Sequence, residues 1–80
     1  MILEYVQSTM KLARYEILGD GEGYFGEIPG FQGVYANEQT LEGCRDELQS
    51  VLEDWILFRI SRNLTLPTVK GLTLQVERSA

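Results

Sequence analysis

Residues 40–61 read Thr40-Leu41-Glu42-Gly43-Cys44 and on through RDELQSVLEDWILFRIS, and this stretch decides the fold. Apolar residues recur in it three and four positions apart, which gathers them on one face of an α-helix. The hydroxyl of Thr40 suits the N-cap, and no proline interrupts the run. A helix of this length measures about 30 Å, the width of a small domain. We predict one long helix with Leu48, Val51, Leu52 and Trp55 in the core. Its predicted buried face also includes Leu41, Cys44 and Phe58.

The flanking segments are short and must pack on this helix. Alternating apolar and polar residues predict strands. Asp20-Gly21 predicts a tight hairpin turn, because both residue types tolerate positive φ. Arg62-Asn63 predicts the end of the long helix, because asparagine is the usual substitute for glycine at that position. The predicted helices cover residues 2–11 and 40–61, and the predicted strands cover residues 12–18, 23–28, 34–36 and 72–76.

This order predicts an α+β fold in a single domain, residues 1–80. Three strands form an antiparallel meander with one apolar face, and the long helix covers that face. The last strand joins the sheet. The expected architecture is a two-layer sandwich with the order α-β-β-β-α-β.

The small size of the chain limits its core. An 80-residue chain buries little more than about 60% of the surface that its unfolded form exposes. Cys44 is the single cysteine, so an internal disulfide is excluded, and its position predicts a buried thiol. Without histidine, the usual zinc ligands are also missing. Oligomerisation is the remaining way to bury more surface.

The composition argues against several functional classes. The formal net charge is −5, which disfavours nucleic acid as a direct partner and suits a basic protein. We expect no secretory signal in Met1-Ile2-Leu3-Glu4, no membrane span and a cytoplasmic location.

No motif predicts an enzyme or a bound cofactor. Residues 21–26 match G-x-G-x-x-G, but a dinucleotide site needs a helix after the glycines, and here a strand is predicted. Asp20 and Glu22 fall on a solvated turn, where catalytic pKa shifts are not expected. A nucleophilic triad lacks its histidine.

A second apolar patch is predicted near the end of the long helix. Ile56, Leu57 and Ile60 fall off the predicted core stripe, and Leu64 lies close after them. A monomer would leave such a patch in water, so we predict a homo-oligomer, a dimer or tetramer, joined there.

Residues 12–67 contain a series of features in a fixed order: a Gly-flanked turn, an aromatic strand ending in proline, a glycine shortly after it and a threonine-led helix. The residues concerned are Tyr24, Glu27-Ile28-Pro29, Gly33-Val34, Thr40-Leu41-Glu42 and Leu48. In their order and spacing they resemble the HicB-like antitoxin domain of bacterial toxin–antitoxin systems.

The resemblance implies a partial ribonuclease-H-like sheet with one main helix. It also implies a non-catalytic protein that covers a small, basic RNA-cleaving toxin of the HicA type. Many family members continue into a DNA-binding segment, which the sequence up to Ala80 does not show. The alternative is a stand-alone oligomeric scaffold or regulatory binding protein that has no toxin partner.

Overall fold

A computed structural model describes residues 2–69 of the chain. Its elements are α1 (Ile2–Met10), β1 (Arg14–Ile17), β2 (Tyr24–Glu27), β3 (Tyr35–Glu38) and α2 (Leu41–Ser61). The predicted α+β class is confirmed: a helix, a three-stranded antiparallel sheet and a long helix follow one another, with the strands in the order β1-β2-β3. The strand predicted over residues 72–76 lies outside the described residues. Neither helix in the described part of the chain has the length and apolar content needed to cross a bilayer.

Helix α2 begins and ends where the sequence predicts. The Thr40 Oγ1 accepts a hydrogen bond of 2.9 Å from the Gly43 amide, so it caps the first turn. At the other end, Asn63 adopts a left-handed φ of 60°. The amides of Asn63 and Leu64 then donate to the carbonyls of Ile60 and Arg59. This pair of bonds is a Schellman motif, which satisfies carbonyls that the helix itself leaves unpaired.

The β1–β2 hairpin also forms as predicted. Asp20 and Gly21 have φ values of 57° and 71°, the signs that a type I′ turn requires. The Leu18 amide closes the hairpin by donating to the Gly23 carbonyl at 2.8 Å. Strand β2 follows directly, so the G-x-G-x-x-G match belongs to a hairpin.

The core lies between α2 and the helix-facing side of the sheet. From α2 it receives one row with a spacing of four: Cys44, Leu48, Leu52 and Ile56, all fully buried. Other elements contribute Tyr5, Val6 and Met10, and Ile28, Phe31, Val34 and Ala36. Val51 and Trp55 are half-buried at the margin of this core.

The assignment of Ile56 to an exposed patch was wrong, and so was the assignment of Leu41 and Phe58 to the buried face. Ile56 is fully buried, whereas Leu41 and Phe58 are 47% and 52% exposed. The reason is α1, whose Val6 lines a hollow together with Ile56. Because α1 packs on the flank of α2, the buried face of α2 lies closer to Ile56 than predicted. The periodicity of α2 alone does not show where a second helix packs.

Candidate protein-docking surface

The sheet has one covered and one open face. The covered face contains Gly26 and Ala36, which are buried, and the Cys44 thiol of α2 donates to the Ala36 carbonyl at 3.6 Å. Side chains alternate along a strand, so the neighbours of Gly26 and Ala36 point the other way. The open face therefore carries Arg14, Glu16, Phe25, Glu27, Tyr35 and Asn37, all exposed or half-buried.

Two aromatic rings stack on this open face. Phe25 pairs with Asn37, and Tyr35 pairs with Glu27, so the two rings are diagonal neighbours across β2 and β3. Their centroids lie 6.1 Å apart with an interplanar angle of 28°. Tyr35 is 59% exposed. A diagonal aromatic pair stabilises the sheet, and an exposed tyrosine ring is also well suited to contact a partner protein.

A hollow adjoins the ring pair at one end of the sheet. It has a volume of about 480 Å³ and is lined by the loop between β2 and β3, residues 28–34, and by the strand ends Glu27 and Tyr35. Tyr35 and Glu27 belong both to its lining and to the open face. The face and the hollow therefore form one continuous surface, which we call the open-face site.

Two carboxylates flank the rings. Register places Glu16 opposite Phe25 and places Arg14 opposite Glu27. Glu16 is on the edge strand β1, and all four residues of that strand are exposed. The Asn37 side-chain amide donates to the Tyr24 carbonyl at 2.7 Å. The site thus combines aromatic area with two carboxylates, and with the guanidinium of Arg14 opposite one of them. Aromatic faces and carboxylates are the groups that bind cationic side chains.

The residues predicted for an oligomer interface are not brought together in one patch. Leu57 and Leu64 are 58% and 44% exposed. Ile60 is half-buried against the core, and Ile56 is inside it. Leu57 instead lines a hollow of about 280 Å³ between α1 and α2, together with Leu3, which is 65% exposed.

The chemistry of Cys44 is that of a buried thiol. It is fully buried beneath the sheet, and burial raises the pKa of the thiol above its ordinary value. The reactive thiolate is therefore disfavoured near neutral pH. Among residues 2–69, no cluster of acidic and cysteine side chains has the arrangement of a metal site.

Sequence reasoning missed the stacked rings. Alternation placed Phe25 on the face opposite Gly26, but the sequence does not give the register between β2 and β3. The signal available in the sequence is the alternation of Tyr35 with Ala36 in β3, which places Tyr35 and Asn37 on one face of that strand.

Comparisons with known proteins found a matching family model and a similar solved structure. A family model described as UPF0150-like matches residues 4–67. The crystal structure of TTHA0281 from Thermus thermophilus superposes with a TM-score of 0.90 at 39% sequence identity. The match covers 96% of this chain and 95% of that one. No curated protein matches the sequence.

Proposed function

Because the chain belongs to the UPF0150-like family, we propose that it is a non-catalytic protein-binding module of the antitoxin type. In this proposal it covers the RNA-cleaving surface of a small basic toxin resembling HicA. The family is associated with HicB-type, antitoxin-like small proteins. That association supports the class of function, and the open-face site supports the mode of binding.

The single observation that carries the proposal is the stacked Phe25–Tyr35 pair on the open sheet face. Within residues 2–69, α2 packs on the other face and leaves these rings accessible. A guanidinium or ammonium group of a basic partner would lie over the rings, and Glu16 or Glu27 would pair with its charge. A net charge of −5 favours the encounter with a basic protein.

The adjoining hollow adds shape complementarity to the charge complementarity of the proposed contact. Its lining includes the buried side chains of Ile28, Phe31 and Val34 and the exposed ring of Tyr35. An apolar side chain from the partner would occupy part of this hollow, beside the ion pairs. Inhibition in this scheme is steric: the toxin loses access to RNA, and this chain supplies no catalytic group.

The test uses a purified basic HicA-type RNA-cleaving protein from the same genome. Cleavage of a labelled RNA is followed while this chain is titrated in. We expect cleavage to stop near equimolar amounts. Phe25→Ala combined with Tyr35→Ala should weaken inhibition by about tenfold or more, because aromatic anchors carry much of the binding energy of an interface.

Ile17→Ala is the matched control. Ile17 is 77% exposed but lies on the helix-facing side of β1, two residues from Tyr15. It should leave inhibition unchanged, and circular dichroism should show that all variants stay folded. Full inhibition by the folded double variant would reject the open-face site. Failure of the wild type to bind the toxin at low salt would reject the antitoxin function.

A stand-alone oligomeric binding protein is the second candidate. The observation in its favour is a row of residues on α2 that does not use the open-face site. Two copies of this row can pair in antiparallel orientation with unlike charges in contact, and its members are Leu41, Arg45, Gln49, Glu53 and Leu57. A genome without a neighbouring gene for a short basic protein would favour it.

A further inference from the structure

One exposed row of α2 has an unusual order of side chains. Every fourth residue from the start of the helix lies along this row: Leu41, Arg45, Gln49, Glu53 and Leu57. The two leucines are 47% and 58% exposed, Arg45 and Glu53 are exposed, and Gln49 is half-buried. We call this row the α2 ridge. Rows with a spacing of four are the ridges through which helices most often pack.

The α2 ridge can pair with the α2 ridge of a second copy that runs in the opposite direction. Arg45 and Glu53 stand four positions on either side of Gln49, and Leu41 and Leu57 stand eight positions away. In an antiparallel pairing centred on Gln49, each Glu53 meets Arg45 of a second copy. Each Leu57 then meets Leu41 of that copy. The charged contacts fall about 6 Å from the centre and the apolar contacts about 12 Å.

The neighbouring row shows that this order is not a general property of the helix. It runs through Glu42, Asp46, Ser50, Asp54 and Phe58. The same operation centred on Ser50 would bring Asp46 against Asp54 of the second copy. Like charges in contact oppose association, so the neighbouring row is unsuited to the pairing that the α2 ridge allows.

The surface beside the ridge provides room for a second helix. A hollow of about 280 Å³ lies between α1 and α2, and its apolar lining residues are Leu3, Val6, Ile56 and Leu57. Glu53 is at its rim and accepts a hydrogen bond of 3.2 Å from the Gln49 side chain. When two helices pack through rows with a spacing of four, the row of one helix lies in the groove beside the row of the other helix. Leu41 of the second copy has the size and chemistry to occupy this hollow.

We propose that the α2 ridge is a self-association surface, occupied by a second copy of this chain related by a two-fold axis at Gln49. Two-fold contacts are isologous, so each unlike pair occurs twice. Two Arg45–Glu53 pairs and two Leu41–Leu57 pairs then define the register. The inference goes beyond the proposed function, because the open-face site lies on the far side of the sheet and stays available.

The test exploits the symmetry of the charges. Glu53→Lys places lysine against arginine in its own homodimer, and Arg45→Glu places glutamate against glutamate. Each variant alone should raise the dimer dissociation constant by about tenfold or more. Mixed together they regain both unlike pairs, so an equimolar mixture should form a heterodimer. Analytical ultracentrifugation at tens of micromolar measures the masses, and tags of different size identify the mixed species.

Glu22→Lys makes the same charge change in the exposed β1–β2 turn and serves as the control. It should leave the wild-type dimer unchanged. Leu57→Asp should give a folded monomer, which separates loss of association from loss of folding. A monomeric wild type overturns the proposal, and so does an oligomer that both Glu53→Lys and Leu57→Asp leave intact. Mixing that restores no dimer rejects this register. Toxin inhibition by the Arg45→Glu variant should persist, so the two proposals fail separately.

Discussion

The ring of Phe31 lies 5.1 Å from the indole of Trp55, centroid to centroid, at an angle of 50°. Phe31 is buried and belongs to the β2–β3 loop, whereas Trp55 is half-buried on α2. The Trp55 indole also donates to the Gln32 carbonyl at 3.2 Å. This contact fixes the loop that encloses the hollow of the open-face site. The loop geometry therefore depends on a residue of the long helix.

Replacing Trp55 should separate the contribution of its ring from that of its hydrogen bond. Trp55→Ala should lower the free energy of unfolding by about 2–4 kcal/mol, at or below the usual cost for a core tryptophan because the side chain is half-buried. Trp55→Phe keeps the ring contact and loses the donor, so it should cost about 1 kcal/mol. Urea denaturation measures both. Equal losses for the two variants would assign the effect to the hydrogen bond.

The sequence was sufficient for the features that depend on local chemistry. The Thr40 cap, the Asn63 exit and the Asp20-Gly21 turn each follow from a residue type whose backbone preference or side-chain acceptor is decisive. The α+β order follows from hydrophobic periodicity in the same way. Neighbouring elements do not alter these signals.

Features that depend on two elements at once could not be predicted. Ile56 is buried because α1 adds a second wall beside α2. The stacking of Phe25 on Tyr35 depends on the register between β2 and β3. Periodicity within one segment shows on which side of that segment a side chain lies. It does not show which neighbouring helix or strand packs against that side.

A methyl group at Gly26 should disturb the seam between the sheet and α2. A Cβ there would come within 3.0 Å of the Tyr15 ring and 3.1 Å of the Cys44 sulfur. Gly26→Ala should therefore destabilise the fold by about 1–3 kcal/mol, the usual cost of overpacking. Gly19→Ala is the matched control, since nothing lies within 4 Å of its Cβ position. Thermal unfolding of both variants decides the matter, and similar midpoints would contradict the close approach.

The stability of the fold should fall at alkaline pH. Burial raises the pKa of the Cys44 thiol above its ordinary value of 9.0. The thiol of the unfolded chain ionises first as pH rises, so the unfolded state gains the charge and the folded state does not. The stability that comes from keeping the thiol protonated in the folded state is fully present below pH 9, and it is lost as the pH rises above that value. Burial likewise raises the pKa of Tyr5 and Tyr15 above 10.0, which extends the loss to higher pH.

Cys44→Ala isolates the thiol in this pH dependence. The variant should be less stable at neutral pH by about 1 kcal/mol or more, because a small buried group is lost. Its free energy of unfolding should fall less steeply than that of the wild type once the pH passes 9. Denaturant titrations at several pH values measure both quantities. Parallel curves for the two proteins would show that the thiol does not titrate differently on folding.

Binding of a basic toxin at the open-face site should depend on salt through the rate of association. Glu16 and Glu27 are exposed beside the rings, where charges accelerate encounter more than they hold the final complex. Replacing both by glutamine should slow association several-fold at low salt and reduce the salt dependence of that rate. Dissociation should change little, because Phe25 and Tyr35 still provide the buried contact.

Glu22→Gln combined with Asp20→Asn makes the same change of charge in the β1–β2 turn, away from the rings. Stopped-flow binding at two ionic strengths compares the pairs of substitutions. Equal slowing by the turn variant would show that net charge steers the encounter, and that the position of Glu16 and Glu27 does not matter.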